Sequence, residues 1–192
     1  MDHQLQWEVN PINGCVTCIK MSGIHISIMG WGTELSDRYS FFSQEKLGGK
    51  NSQIIDKKIT IEKESITSNF VLKFKTAFVR ISLNDKIEQS RIQRKYILET
   101  LEDSYLADFV IRTVFPKDII TKVFIMDKKF DFQSSNLYRQ YKTDAAILET
   151  QRGLIESRVQ IPISQPKFDL VTYVRDEPPD KWVVHHRLLS SK

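Results

Sequence analysis

NDKIEQSRIQRKYILETLEDSYLADFVIRT, residues 84–113, is the stretch on which the fold turns. Asp85 stands where a carboxylate accepts hydrogen bonds from the N–H groups of a first helical turn. Glu88 follows three residues later, the spacing of a capping box. Leu98, Leu101, Tyr105 and Phe109 then share one stripe at helical spacing. The pattern predicts a long helix from Asp85 to about Thr113. Phe115-Pro116 closes it, because the residue before proline avoids the α region. Ile119 to Met126, mostly apolar, reads as a central strand.

Upstream the text is strand-like. Gln4 to Asn10 leads into the turn cluster Pro11-Ile12-Asn13-Gly14, and Cys15 to Met21 follows. After the turn Ser22-Gly23, Ile24, Ile26 and Ile28 alternate with His25, Ser27 and Met29, the period of a strand with one buried face. These segments predict a three-stranded meander. Residues 30–52 read as a long loop pinned to the body by Trp31, Tyr39, Phe41 and Phe42. Ile54 to Ile61 is a weak strand, and Phe70 to Leu83 a stronger one rich in aromatic and β-branched types.

Downstream, residues 127–141 are polar and read as a loop. Thr143-Asp144 opens a second helix to about Arg158, with Ala145, Leu148 and Ile155 inward. Pro162 and Pro166 bracket a break. Phe168 to Val174 and Trp182 to Leu189 are strands joined through the turn Asp176-Glu177-Pro178-Pro179-Asp180. The expected fold class is therefore α+β. It is a single domain over residues 1–192, with an N-terminal antiparallel meander, a mixed sheet packed by two main helices, and a C-terminal strand pair.

Composition agrees with one globular domain. The 192 residues are 41% hydrophobic and 27% charged, which disfavours disorder. Seven Gly and six Pro argue against fibrous classes. The net charge of +4, from 28 basic and 24 acidic residues, permits contact with nucleic acid without demanding it. The opening MDHQLQWEVNPING lacks the pattern of a signal peptide, and no apolar run could span a bilayer. Two cysteines make no disulfide framework. A cytoplasmic or nuclear location, with no membrane partner, is expected.

The motifs nominate no enzyme class, cofactor or metal. Cys15-Val16-Thr17-Cys18 sits on a strand, where an offset of three sends the side chains to opposite faces, so the pair reads as small buried hydrophobes. His185-His186 are adjacent on a strand, so their rings point apart, one toward the core and one toward solvent. Gly30-Trp31-Gly32 and Gly48-Gly49 lack the Gly-Lys-Ser/Thr ending of a phosphate loop. No Ser stands in a nucleophile elbow, and Asp127 and Asp131 lack the spacing of a calcium loop.

The basic residues are more informative. Arg91, Arg94 and Lys95 share one face of the predicted helix at i, i+3 and i+4. Lys73, Lys75 and Arg80 lie in the strand region before it. Such cations hold phosphates without reading sequence. A solvated charged surface would look the same. Trp31, Tyr39, Phe41 and Phe42 offer a second candidate, an aromatic docking loop.

Three patches in order resemble the ribonuclease PH-like subunits of the RNA exosome ring. The first runs from Asn13-Gly14-Cys15-Val16 through Gly23-Ile24-His25-Ile26-Ser27-Ile28 to Gly30, similar to the family's opening hairpin. The second is the predicted helix, Phe115-Pro116-Lys117 and the strand Ile119–Met126. The third is Asp144-Ala145-Ala146-Ile147-Leu148, running to Val159-Gln160-Ile161-Pro162. Arg91 and Arg94 fall near the start of the helix that carries an Arg cluster in catalytic members, while the catalytic acid and the phosphate-binding turn have no match. The resemblance implies a non-catalytic ring subunit that contacts neighbouring protein subunits and guides single-stranded RNA. The rival expectation is a protein-interaction or matrix-like scaffold with no nucleic-acid role.

Overall fold

The N-terminal segments pair as the alternation requires. In the computed structural model, β1 (Gln6–Val9), β2 (Val16–Met21) and β3 (Ile24–Ser27) form a three-stranded antiparallel sheet. Gly14, at φ 70°, makes the turn between β1 and β2. The structure describes residues 5–21, 24–28, 30–130, 139–161, 168–177 and 179–190. The turn expected at Ser22-Gly23 and the break expected at Pro162 and Pro166 lie outside them.

Residues 30–52, expected as a loop, hold β4 (Gly30–Ser36) and β5 (Phe41–Ser43). Asp37 makes the corner between them. Its carboxylate accepts from the N–H groups of Tyr39 and Thr76 and from the Thr76 hydroxyl, each at 2.7 Å. Burial would raise its pKa, but these donors outweigh burial and hold it below the usual carboxylate range. Gly49 closes the return. A Cβ there would lie 1.9 Å from the Phe41 carbonyl oxygen and 2.9 Å from Phe42 Cα, backbone atoms that cannot move aside. Gly49→Ala should therefore lower stability by about 1–3 kcal/mol, read as a lower urea midpoint at unchanged slope.

The decisive correction concerns residues 84–113. They are not a helix. β6 (Gln53–Ile61), β7 (Ser65–Lys73), β8 (Phe78–Glu88) and β9 (Arg91–Thr100) form a four-stranded meander, and β10 (Asp108–Pro116) follows. Glu88 faces Arg91 across the two-residue turn Gln89-Ser90, with Gln89 at φ 53°. Asp85 caps no helix: it is the buried partner of Arg94. The second expected helix is likewise a hairpin. β11 (Ile120–Ile125), β12 (Lys128–Phe130), β13 (Ala145–Thr150) and β14 (Gly153–Arg158) pair in the order β12-β11-β13-β14. β15 (Phe168–Glu177) and β16 (Lys181–Ser190) complete the chain. The expected α+β class thus gives way to an all-β fold of four small sheets in a propeller-like arrangement, with no helix among the described residues.

The five-stranded sheet, ordered β15-β16-β10-β4-β5, joins the halves. One face carries Leu35, Phe42, Phe109, Ile111 and Leu188 at one end, packed on the β6–β9 sheet with Phe70, Leu72, Val79 and Ile81. The same face carries Phe115, Val174, Trp182 and Val184 at its other end, packed with Val16, Ile66, Ile120, Val123 and Leu148. Between the two cores the register sets Thr33, Thr113, His186 and Thr172, all buried and polar.

Candidate nucleic-acid interface

The β6–β9 sheet is amphipathic by strict alternation. Phe70, Leu72, Val79, Ile81 and Leu83 point into the core, so the intervening positions form an outer face. The register lines up Lys58, Asn69, Ser82 and Ile97 in one cross-strand row, and Thr60, Thr67, Asn84 and Lys95 in the next. Lys73, Arg80, Lys86 and Arg91 share this face, while its carboxylates are Asp56, Glu88, Glu99 and, at the end of β6, Glu62, which accepts from Ser65 at 2.9 Å. Glu99 accepts from Arg80 at 2.7 Å, and Glu88 accepts from Arg91 Nε at 3.0 Å. Lys58, Lys86 and Lys95 have no carboxylate partner among the described residues. Asn84 Nδ2 donates to Thr67 Oγ1 at 3.2 Å, so amide and hydroxyl groups lie between the free cations.

Four of the six cations picked from the sequence therefore reach one surface: Lys73, Arg80, Arg91 and Lys95. Lys75 lies beyond the end of β7, with its ammonium 4.7 Å from the Tyr39 ring. Arg94 points the other way. Its side chain is 3% exposed, and Nε and Nη2 each donate to one Asp85 carboxylate oxygen at 2.5 Å. Its guanidinium lies 4.6 Å from the Trp31 ring. Burial alone would lower the guanidinium pKa; Asp85 outweighs it and holds the pKa above its ordinary value. Arg94 is thus a structural residue and leaves the interface set. Sequence reading missed Lys58 and Lys86. Lys58 alternates with Ile59 and Ile61, a signal that was legible, whereas Lys86 was hidden inside the predicted helix.

The aromatic docking loop does not form. Phe42 is buried against Phe70, with ring centroids 5.9 Å apart. Trp31 packs on the core of Val16, Phe115, Trp182 and Val184, and Phe41 is half-buried in β5. Of the four only Tyr39 is exposed, at 47%, and Lys75 lies over its ring.

The remaining polar groups serve the fold. On the other face of the central sheet, Arg112 Nη1 donates to Glu45 at 2.6 Å, while Nη2 lies 3.7 Å from Glu177 and Nε 4.0 Å from Glu34. Burial raises the Glu34 pKa, against the pull of Arg112. Glu45 lies flat on β4 because Gly30 and Gly32 have no Cβ; one built on Gly32 would fall 2.6 Å from Glu45 Cγ. Both histidines are buried, so the expectation that one faces solvent is corrected. His185 stacks on Tyr173 at 4.5 Å, and burial pushes its pKa down to about 3, with Arg112 and Arg175 adding to the shift. Thr172 gives its hydroxyl proton to the Thr143 carbonyl, so it accepts from His186 Nδ1–H, and Nε2 accepts from Ser157. Burial holds His186 near 4. Cys15 and Cys18 are buried free thiols, and burial pushes Cys15 up to about 12.

Among the described residues no group of three His, Cys, Asp or Glu side chains is placed to hold a metal ion. No helix among them is long and apolar enough to cross a membrane. No family model, curated protein or solved structure matches this chain.

Proposed function

We propose that this chain is a non-catalytic binding subunit of an RNA-handling complex, holding single-stranded RNA across the outer face of the β6–β9 sheet. The observation that carries this reading is the gathering of Lys58, Lys86 and Lys95, unpaired, on one flat face with Asn69, Ser82, Asn84 and Gln93 between them. Lys58, Lys95 and Lys86 stand in three successive cross-strand rows, about 6.8 Å apart along the strands, on β6, β9 and β8. Spread across the sheet in this way they can meet backbone phosphates, and the amides and hydroxyls between them can meet bases or sugars. The ring implied by the exosome resemblance depends on helices over 85–113 and 143–158. Strands stand there, so the proposal keeps the RNA-guiding role and not the ring.

Fluorescence anisotropy with a single-stranded RNA homopolymer tests it. Replacing Lys58, Lys86 and Lys95 together by glutamate should weaken binding at least about tenfold. The same reversal at Lys128 and Lys129, on another sheet, should leave it unchanged. Equal losses in both variants would sink the assignment of the face. The rival reading, a protein scaffold with no nucleic-acid role, is favoured by an apolar patch on the outer side of β11–β14. Ile147 and Leu154 are 37% and 69% exposed there, and Phe124 pairs with Ile147. It expects no RNA affinity even at low salt.

A further inference from the structure

We propose that the free edge of β9 takes up an extended segment of a partner protein by strand addition, and that this segment alternates apolar and acidic residues. β9 is the last strand in the order β6-β7-β8-β9, and its ten residues pair with β8 without a register break. The opposite edge differs: β6 carries a bulge between Ile54 and Asp56, a common guard against pairing.

The backbone direction follows from two bonds. The Ile87 N–H donates to the Glu64 carbonyl on the β7 side, and the Phe78 carbonyl accepts from Leu101 on the β9 side. Odd positions of β8 therefore face β7 and even positions face β9. The register then turns the N–H and C=O groups of Ile92, Arg94, Tyr96 and Leu98 away from β8, toward the open edge. None of the four exchanges a backbone hydrogen bond there among the described residues. Four alternate residues with unpaired backbone groups along a ten-residue strand are a template for another strand.

Side chains select the occupant. On the inner side Tyr96 and Leu98 pack against the core of Phe70, Leu72, Val79 and Ile81, Ile92 is half-buried with Arg94 between it and Tyr96, and β9 is the last strand, so the layer stops there. Apolar residues at alternate positions of an added strand would continue it. On the outer side that strand would run beside Arg91 and Lys95, which calls for carboxylates. A second copy fits poorly: the antiparallel register that matches Arg91 with Glu99 sets Lys95 opposite itself. The two readings share Arg91 and Lys95, which an acidic strand and an RNA phosphate would both use, whereas strand addition rests on the backbone edge that the RNA reading does not use.

The test uses the full chain and a synthetic peptide of alternating glutamate and valine, long enough to span the strand. Amide hydrogen exchange of the free protein should be fast at Ile92, Arg94, Tyr96 and Leu98 and slow at Gln93, Lys95 and Ile97. Peptide should slow the fast set. N-methylation of the peptide amides that face β9 should weaken binding by at least about tenfold, while N-methylation of the opposite set should leave it unchanged. Binding equally sensitive to both methylation patterns, or no binding at millimolar peptide, overturns the proposal. RNA affinity does not enter either readout, so this proposal and the RNA reading fail separately.

Discussion

Replacing Asp85 by alanine should destabilise the protein by about 3–5 kcal/mol, because it leaves the Arg94 guanidinium charged and unpaired between two sheets. The pair is bidentate, both side chains are at most 3% exposed, and Trp31 covers the guanidinium. No solvent reaches the site to replace the lost carboxylate. Two interior charges are not stabilising in themselves: their desolvation offsets much of their attraction. Replacing Asp85 and Arg94 together by leucine should therefore restore most of the loss. Urea unfolding of the single and double variants checks both statements. A single variant within about 1 kcal/mol of the parent would mean the pair behaves as a screened surface ion pair.

Acidification from pH 7 to pH 4.5 should cost on the order of 2 kcal/mol for each of His185 and His186. In the unfolded chain both titrate near 6.5, whereas in the folded state burial holds them at about 3 and about 4. Between those limits the unfolded state binds more protons, so stability falls as pH falls through 6.5 and goes on falling until the folded rings titrate. Glu34, whose pKa burial raises, works against the loss, while Asp37, held low by its donors, adds to it at the acid end. Urea midpoints taken between pH 7 and pH 4.5 measure the slope. Substituting phenylalanine at His185 and asparagine at His186 should flatten it. A midpoint independent of pH over this range would contradict the burial of the two rings.

The β-strand text at both ends of the chain was legible because one residue in two is apolar there. The centre was not, for an identifiable reason. The Arg94–Asp85 pair places charges at inward positions of β8 and β9, and Ile97 places an apolar residue outward, so the alternation is broken where it was needed. Read without that pair, Asp85 and Glu88 imitate a helix cap, and Leu98, Leu101, Tyr105 and Phe109 imitate a helix stripe. The turn Gln89-Ser90 contains no glycine although Gln89 adopts a positive φ, so the hairpin carries no usual signal. The turn Gln151-Arg152 hides the second hairpin in the same way, with glycine only at the following position. The candidate site was half legible. Lys73, Arg80, Arg91 and Lys95 were picked by type, but a helical frame could not separate Arg94, on the inner face of β9, from Arg91 and Lys95 on its outer face. A period of two does so at once.

The proposed role of the outer face of the β6–β9 sheet is to neutralise RNA phosphates. The most direct measurement is the salt dependence of binding to a single-stranded RNA homopolymer. Three to six cations in contact predict a slope of log K against log salt of about −2 to −4, reduced toward zero when Lys58, Lys86 and Lys95 are replaced by glutamate. Binding that is indifferent to salt, or no binding at low salt, would contradict the account.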